Sequence, residues 1–220
     1  MNPDAVVKIG GSLSRGPGLE SLCREIGHLG KRHKLLIVPG GGAFADQVRE
    51  ADQKYHLDDT TAHYMALLAM DQYGYMLSRL IPGSFVTREI IINDFHSVPI
   101  FLPSSHIVKD DPLPHSWQVT SDTIAAWVAH RTNSNRLVLL KNVDGLKAAA
   151  NKKKKLIAEL TVEQLANHSG GIDGCFAAFL SGTRLETWII NGLRPERLTE
   201  LMDSDRTTGT RVYSSTFIQP

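Results

Sequence analysis

The 220-residue chain lacks several features that would assign it to a common class of protein. Its two cysteines, Cys23 and Cys175, are far apart and in no CxxC pair, which argues against a disulfide framework or a zinc site. The formal net charge is only +1, so no global field favours nucleic acid or an acidic membrane. No run of apolar residues approaches the roughly 18 that a membrane span requires. We therefore expect a cytoplasmic protein that binds neither nucleic acid nor a membrane.

Common short motifs are missing as well. The nine histidines form no HExxH or other tight metal-binding pattern, and neither GxxxxGK[ST] nor GxGxxG occurs. The first residues include Asp4 and Lys8 and no long apolar core, which is not typical of a secretory signal. With 42% hydrophobic and 21% charged residues, the chain has an ordinary globular composition. We expect one domain over residues 1–220 with two lobes, roughly 1–115 and 116–220.

What the chain does contain is two glycine turns, each following a predicted buried strand. Gly10, Gly11 and Ser12 follow the first strand, and Gly40, Gly41 and Gly42 follow the second. Glycines let the backbone approach a ligand, and the N–H groups at a following helix N-terminus favour anions. The two turns predict a site for phosphate-bearing molecules. A tight structural turn is the simpler alternative for each.

Strand and helix patterns alternate along the chain, which predicts an α/β three-layer αβα sandwich with a mostly parallel central sheet. The predicted strands are Ala5–Ile9, Leu35–Val38, Ile100–Leu102, Arg136–Lys141, Glu186–Ile190 and Thr210–Tyr213. The predicted helices are Leu19–Leu29, Ala43–Lys54, His63–Leu80, Ser121–His130, Thr161–Asn167 and Pro195–Met202. Residues that recur at helical spacing on the third helix form a methionine-rich stripe, which is interpreted as core or subunit interface: Met65, Leu68, Ala69, Gln72, Met76 and Leu80. The proline-rich segment Pro103–His115 is predicted to be a loop or lid.

Lys8 is the first candidate for chemistry, since a lysine in a covered strand is costly unless it is paired or reaches a ligand. Its ammonium could neutralise a transferring phosphoryl group. A lysine on an edge strand, reaching water, is the alternative. Asp122 lies near a helix start for which Ser121 is the expected N-cap, so it either complements the helix dipole or pairs with Lys8.

The loop from Lys141 through Asp144 and Gly145 to Lys147 ends another predicted strand. It is either an Asp-Gly turn or part of a nucleotide site. The run Lys152–Lys155 is interpreted as a solvated loop, with a flap near nucleotide phosphates as the alternative.

Taken in order, these elements resemble the amino acid kinase superfamily: KIGGS, PGGG, the TSD segment at Asp122, and K-x-V-D-G at Lys141–Gly145. The resemblance implies ATP-dependent phosphoryl transfer to a small molecule, with Mg²⁺ held mainly by the ATP phosphates and no metal ligands of the protein. It implies that Lys8 and Asp122 are catalytic and that the glycine turns bind ATP phosphates and the acceptor. It implies that the loop from Lys141 to Lys147 borders the nucleotide. Relatives form homo-oligomers, so a homo-oligomer is expected here.

Two departures from the superfamily pattern bear on the substrate. Many members have a second lysine in a late glycine-rich segment, whereas this chain reads Gly170 to Cys175 without one. Lys141, Lys147 or the lysine run could replace it. Isopentenyl phosphate kinases carry a histidine where this chain has Asp46.

The surrounding segments are similar to a branch of methanofuran biosynthesis that phosphorylates [5-(aminomethyl)furan-3-yl]methyl phosphate, a phosphate acceptor with an amine. Asp46 or Asp71 could bind that amine. The alternatives are a kinase for uridylate, isopentenyl phosphate or a carboxylate, for which Arg49 is the candidate partner, and a non-catalytic nucleotide-binding protein like the molybdenum storage protein.

Overall fold

The computed structural model describes residues 1–148, 155–168 and 172–215. Their strands form one eight-stranded sheet in the order β3-β4-β2-β1-β5-β7-β8-β6. Neighbouring strands are parallel except for the antiparallel pair β7 and β8. The strands are β1 (Ala5–Ile9), β2 (Leu35–Pro39), β3 (Ser84–Thr87), β4 (Val98–Phe101), β5 (Arg136–Lys141), β6 (Glu159–Thr161), β7 (Glu186–Asn191) and β8 (Gly209–Tyr213).

Helices cover both faces of the sheet, which confirms the predicted three-layer α/β architecture. They are α1 (Leu19–Leu29), α2 (Gly42–Tyr55), α3 (Asp59–Leu80), α4 (Ser104–Asp110), α5 (Ser121–Arg131), α6 (Val162–Ala166), α7 (Phe176–Ser181) and α8 (Glu196–Ser204). A 3-10 helix, Gly11–Arg15, follows β1 directly. The sheet is continuous across the proposed lobe boundary, because β1 pairs with β5.

The alternation of side chains along β1 divides the core into two layers. Val6 packs in the cluster that includes α5, whereas Val7 and Ile9 pack in the opposite cluster with α1. Lys8 shares the face of Val6 and is 4% exposed. Because β1 lies in the centre of the sheet, the edge-strand interpretation of Lys8 is wrong.

Several local predictions need correction. The segment predicted as a loop, Pro103–His115, contains helix α4, because Asp71 anchors the N-terminal residue Ser104 of that helix. The N-cap of α5 is Thr120 and not Ser121, since the Thr120 hydroxyl accepts from the Asp122 N–H. Strands β3 and β6 and helix α7 were not predicted, because each is short and carries a weak periodic pattern.

The methionine-containing stripe on α3 lies only partly in the core. Ala69 is buried and Met65, Met76 and Leu80 pack against the buried clusters, whereas Leu68 is 53% exposed; the subunit-interface alternative stays a prediction. The face buried against the sheet and neighbouring helices contains Leu67, Met70 and Leu77. Apolar residues occur on more than one side of this helix, so spacing alone did not identify the buried side.

Candidate active site

The carboxyl ends of β1, β2 and β5 meet at one edge of the sheet and enclose a cavity of about 680 Å³. Ligands of open parallel α/β sheets bind at the carboxyl ends of the strands, at the point where the strand order reverses. Both glycine turns, the 3-10 helix and the N-termini of α2 and α5 contribute to its wall. Its charged lining residues are Lys8, Arg15, Asp46, Arg49, Asp122 and Lys141.

The two glycine turns pack directly on each other. A Cβ at Gly11 would lie 2.5 Å from the backbone nitrogen of Gly42, which is closer than real contacts allow. Gly42 itself has φ +58°, a conformation that side chains disfavour. The contact therefore requires glycine on both sides, and it brings the first helical turns after β1 and β2 to the same cavity. Gly10, Gly11, Ser12, Gly41 and Gly42 line the cavity, whereas Gly40 packs against Gly11.

The centre of the site is one carboxylate between two lysines. Lys8 Nζ donates to Asp122 Oδ1 at 2.7 Å, and Lys141 Nζ donates to Asp122 Oδ2 at 2.5 Å. Lys8 projects from β1, Lys141 from the end of β5, and Asp122 from the first turn of α5. The pairing of Lys8 with Asp122 agrees with the sequence prediction. The structure adds Lys141 to the same ion cluster.

Burial and charge act in opposite directions on these groups. Burial lowers the pKa of Lys8, and the attraction of Asp122 compensates for only part of this effect. Burial raises the pKa of Asp122, but the two lysines outweigh it, so the pKa lies below its ordinary value. The carboxylate is therefore ionised at neutral pH and draws both cations to the cavity wall.

Asp173 is a site residue that sequence reasoning missed. Its carboxylate accepts hydrogen bonds from the hydroxyls of Thr120 and Thr123, at 2.7 and 2.5 Å, and from the backbone N–H groups of both. These bonds hold the N-terminus of α5, and with it Asp122. No local signal could identify Asp173, because its partners lie about 50 residues earlier.

Asp46 lies in the cavity wall between two arginines. Arg15 pairs with its Oδ2, and Arg49 Nη1 lies 3.1 Å from its Oδ1. The two guanidinium groups are well exposed, at 65% and 50%. The four cationic and two carboxylate side chains of the lining give the cavity a net charge of about +2 when both lysines are protonated.

Comparison with known proteins places this geometry in a family. Residues 5–184 match the amino acid kinase family. The chain belongs to that family. It is 24% identical over 216 residues to the [5-(aminomethyl)furan-3-yl]methyl phosphate kinase of Methanocaldococcus jannaschii, covering 94% of this chain and 96% of the relative. It is 24% identical over 205 residues to the uridylate kinase of Thermococcus kodakarensis, covering 84% and 88% of the two chains.

The fold comparison agrees. The crystal structure of uridylate kinase from Archaeoglobus fulgidus superimposes with a TM-score of 0.75 at 18% identity, covering 96% of this chain and 100% of the other. This amino acid kinase family member is therefore a phosphotransferase with the family's α/β fold and a small-molecule substrate.

Some predicted site residues of this kinase lie away from the cavity. Asp144 accepts hydrogen bonds from Asn191 and Arg197, at 3.0 and 2.6 Å, which tie the loop after β5 to β7 and α8. Gly145 packs on Thr210, and the Lys147 carbonyl contacts His168. Of the predicted nucleotide loop, Lys141 contributes to the cavity wall, together with Asn142 and Val143.

Asp71 has a structural partner and lies outside the cavity lining. Its two oxygens accept from the backbone and hydroxyl of Ser104, so the carboxylate anchors α4. Asp71 is also not among the residues that line the cavity. This local role corrects the expectation that Asp71 could bind an amine.

Other features concern metals, membranes and segments outside the described residues. Within residues 1–148, 155–168 and 172–215, no cluster of three or more His, Cys, Asp or Glu side chains could hold a metal ion. No helix in these ranges is long and apolar enough to cross a bilayer. Both cysteines are free thiols. Lys152–Lys154 and Gly170–Gly171 lie outside the described residues, so the predictions made for them stay predictions.

Proposed function

We propose that this kinase transfers the γ-phosphoryl group of ATP to the phosphate of a small monoester, [5-(aminomethyl)furan-3-yl]methyl phosphate, and forms the diphosphate. The observation that supports phosphoryl transfer is the Lys8–Asp122–Lys141 cluster in the wall of the cavity lined by the two glycine turns. The acceptor is inferred from the relative in M. jannaschii, which is a kinase for this compound. Such a reaction belongs to methanofuran-type cofactor biosynthesis.

The two lysines are assigned to the transferring phosphoryl group. Phosphoryl transfer needs positioning and neutralisation of negative charge more than covalent participation by the protein. Asp122 holds one ammonium on each oxygen and so fixes their separation before substrate binds. Lys141 thereby supplies the second cation that is missing from the late glycine-rich segment.

The arginine pair is assigned to the acceptor's phosphate. Arg15 and Arg49 reach the cavity from the 3-10 helix and from α2, and Asp46 holds both. Guanidinium groups suit phosphate because their N–H groups match its oxygens. Asp46, already paired with two cations, has little charge to offer an amine, so we assign it to positioning the arginines. The attacking phosphate oxygen is itself an anion, so no general base is required.

The remaining groups are proposed to hold the nucleotide. ATP phosphates would lie over the first glycine turn, Gly10 and Gly11, and the rest of ATP would leave the cavity past Val143 toward Lys147. Mg²⁺ would accompany the ATP and would add charge neutralisation on its phosphate oxygens. Since Lys8 and Lys141 already offer positive charge here, the cavity fits the phosphates of a metal–nucleotide complex.

Steady-state release of ADP from MgATP tests the proposal. The acceptors to compare are [5-(aminomethyl)furan-3-yl]methyl phosphate, UMP, isopentenyl phosphate and N-acetylglutamate. We expect turnover with the furan phosphate and identification of its diphosphate by mass spectrometry. ATP binding without acceptor-dependent turnover would favour the non-catalytic alternative, and turnover with UMP alone would assign a uridylate kinase.

Substitution of each lysine tests the mechanism. Lys8→Ala and Lys141→Met should each lower kcat by about 10²–10³, the usual loss for one preorganised transition-state contact, while ATP still binds by calorimetry. The exposed Lys31 offers the matched control, because Lys31→Met removes a charge remote from the cavity lining. Near-normal kcat in either cavity variant would remove that lysine from the proposed chemistry.

A further inference from the structure

A second, smaller compartment adjoins the phosphate cavity. Its volume is about 60 Å³, and it shares Gly41, Ala45, Arg49, Thr120 and Ser121 with the larger cavity. The shared residues include Arg49, the arginine assigned to the acceptor's phosphate. A molecule whose phosphate lies at Arg49 could therefore place its other end here.

The wall of this compartment is mostly apolar. Leu67 and Met70 come from α3, Val119 from the segment before α5, and Ile124 from α5. Trp117 closes one side, and its indole N–H already donates to Asp52 at 2.7 Å. The Thr120 hydroxyl is likewise engaged, because it donates to Asp173. Such a wall suits a small, flat and largely apolar group.

His63 is the exception in this wall. It is only 7% exposed, and its Nε2 is buried with no hydrogen-bond partner among the described residues. The adjacent His115 cannot serve it, because that ring stacks on His63 at 4.7 Å and uses its own nitrogens with Thr60 and Asp111. Buried polar atoms are nearly always paired with protein, ordered water or a ligand, so the unpaired nitrogen of a residue that lines a cavity is a candidate ligand contact.

We propose that this compartment binds the non-phosphate part of the acceptor, a small planar ring, and that His63 Nε2 forms a hydrogen bond with one polar substituent of that ring. The inference rests on the proposed function, since it assumes a phosphate ester held at Arg49. It also favours a ring with few polar groups. A nucleobase has several of them, whereas this mostly apolar wall offers one unpaired buried nitrogen.

The protonation of His63 is compatible with this role. Burial lowers its pKa, and the positive charge that His115 can carry lowers it further. A neutral imidazole has one nitrogen that accepts and one that donates. It can therefore accept from an amine or donate to a hydroxyl on the ring.

The test measures the kinetics of three proteins, wild type and two variants, with three phosphate acceptors as probes. The probes are [5-(aminomethyl)furan-3-yl]methyl phosphate, furan-3-ylmethyl phosphate, which lacks the polar substituent, and UMP. The proteins are wild type and two variants. His63→Phe keeps a ring against His115 but removes Nε2, and His63→Gln keeps a hydrogen-bonding group. Thermal unfolding and ATP affinity of each variant report on folding and on the nucleotide site.

We expect His63→Phe to raise KM for the aminomethyl probe about tenfold, the effect of one lost hydrogen bond, with kcat changed much less. KM for the unsubstituted probe should change little, and His63→Gln should retain most of the wild-type affinity. UMP should be the poorest acceptor of the three for wild type. A purely structural role for His63 would affect both furan probes and the unfolding temperature alike.

Two results would overturn the inference. One is an unchanged KM for the aminomethyl probe in His63→Phe, and the other is a wild-type enzyme that uses UMP in preference to both furan phosphates. In each case the phosphoryl transfer itself would stand. By contrast, absence of ADP release with every phosphate ester would contradict the proposed function, and the ring compartment with it.

Discussion

The Asp122→Asn variant should reveal how much stability depends on one carboxylate between two lysines. The substitution keeps the side chain's size but leaves Lys8, with a side chain 6% exposed, and Lys141, 17% exposed, without their shared anion. Removing one partner of a buried ion pair costs about 3–5 kcal/mol. For a chain of this length, a loss of about 3 kcal/mol lowers the unfolding temperature by roughly 6–12 °C.

The size of that loss should depend on pH in a definite direction. The pKa of Asp122 is below its ordinary value in the folded state, so the carboxylate stabilises the fold above about pH 4 and loses that effect as pH falls through the folded pKa. The pKa of Lys8 is also lowered, so the cost of burying its ammonium is greatest at neutral pH and declines as pH rises. The deficit of Asp122→Asn should therefore be smaller near pH 10 than near pH 7.

Urea unfolding of the ligand-free proteins at both pH values provides the measurement. Asp144→Asn is the matched control, because that carboxylate is 49% exposed and its pair with Arg197 should contribute about 0–1 kcal/mol. A deficit below about 1 kcal/mol for Asp122→Asn, or one that is equal at both pH values, would refute the argument from buried charge.

Two further substitutions test the packing that forms the site. Gly11→Ala should destabilise the fold by about 1–3 kcal/mol and abolish phosphate binding, because its Cβ would meet the backbone of Gly42, whereas Gly16→Ala has only the Leu193 side chain at 3.8 Å and should be nearly neutral. Equal unfolding temperatures for the two alanine variants would contradict the close contact of the turns. Asp71→Ala should cost about 1–3 kcal/mol and loosen α4, since Ser104 loses its acceptor; hydrogen exchange in α4 at the wild-type rate would argue against that role.

The elements with strong apolar patterns could be predicted closely. Helix α1 and strands β1 and β5 have the predicted bounds, because amphipathic periodicity and continuous apolar runs are local properties. Helix α4 was missed because the prolines around it favour a loop, although Pro103 is accommodated at its N-cap, and because its anchor, Asp71, lies 33 residues away. The most buried face of α3, with Leu67, Met70 and Leu77, was not identified, because contacts with neighbouring elements determine which side of this helix is buried.

For the site, the chain itself determined the glycine turns, the buried lysine of β1 and the order of family motifs, because these depend on residue type and spacing along the backbone. Only the tertiary structure decided that Lys141 shares Asp122 with Lys8, that Asp173 anchors α5, and that Arg15 pairs with Asp46. These contacts join residues from 19 to 114 positions apart. Such pairs form where the order of strands in the sheet brings strand ends together. The local sequence does not determine which distant residues become neighbours in this way.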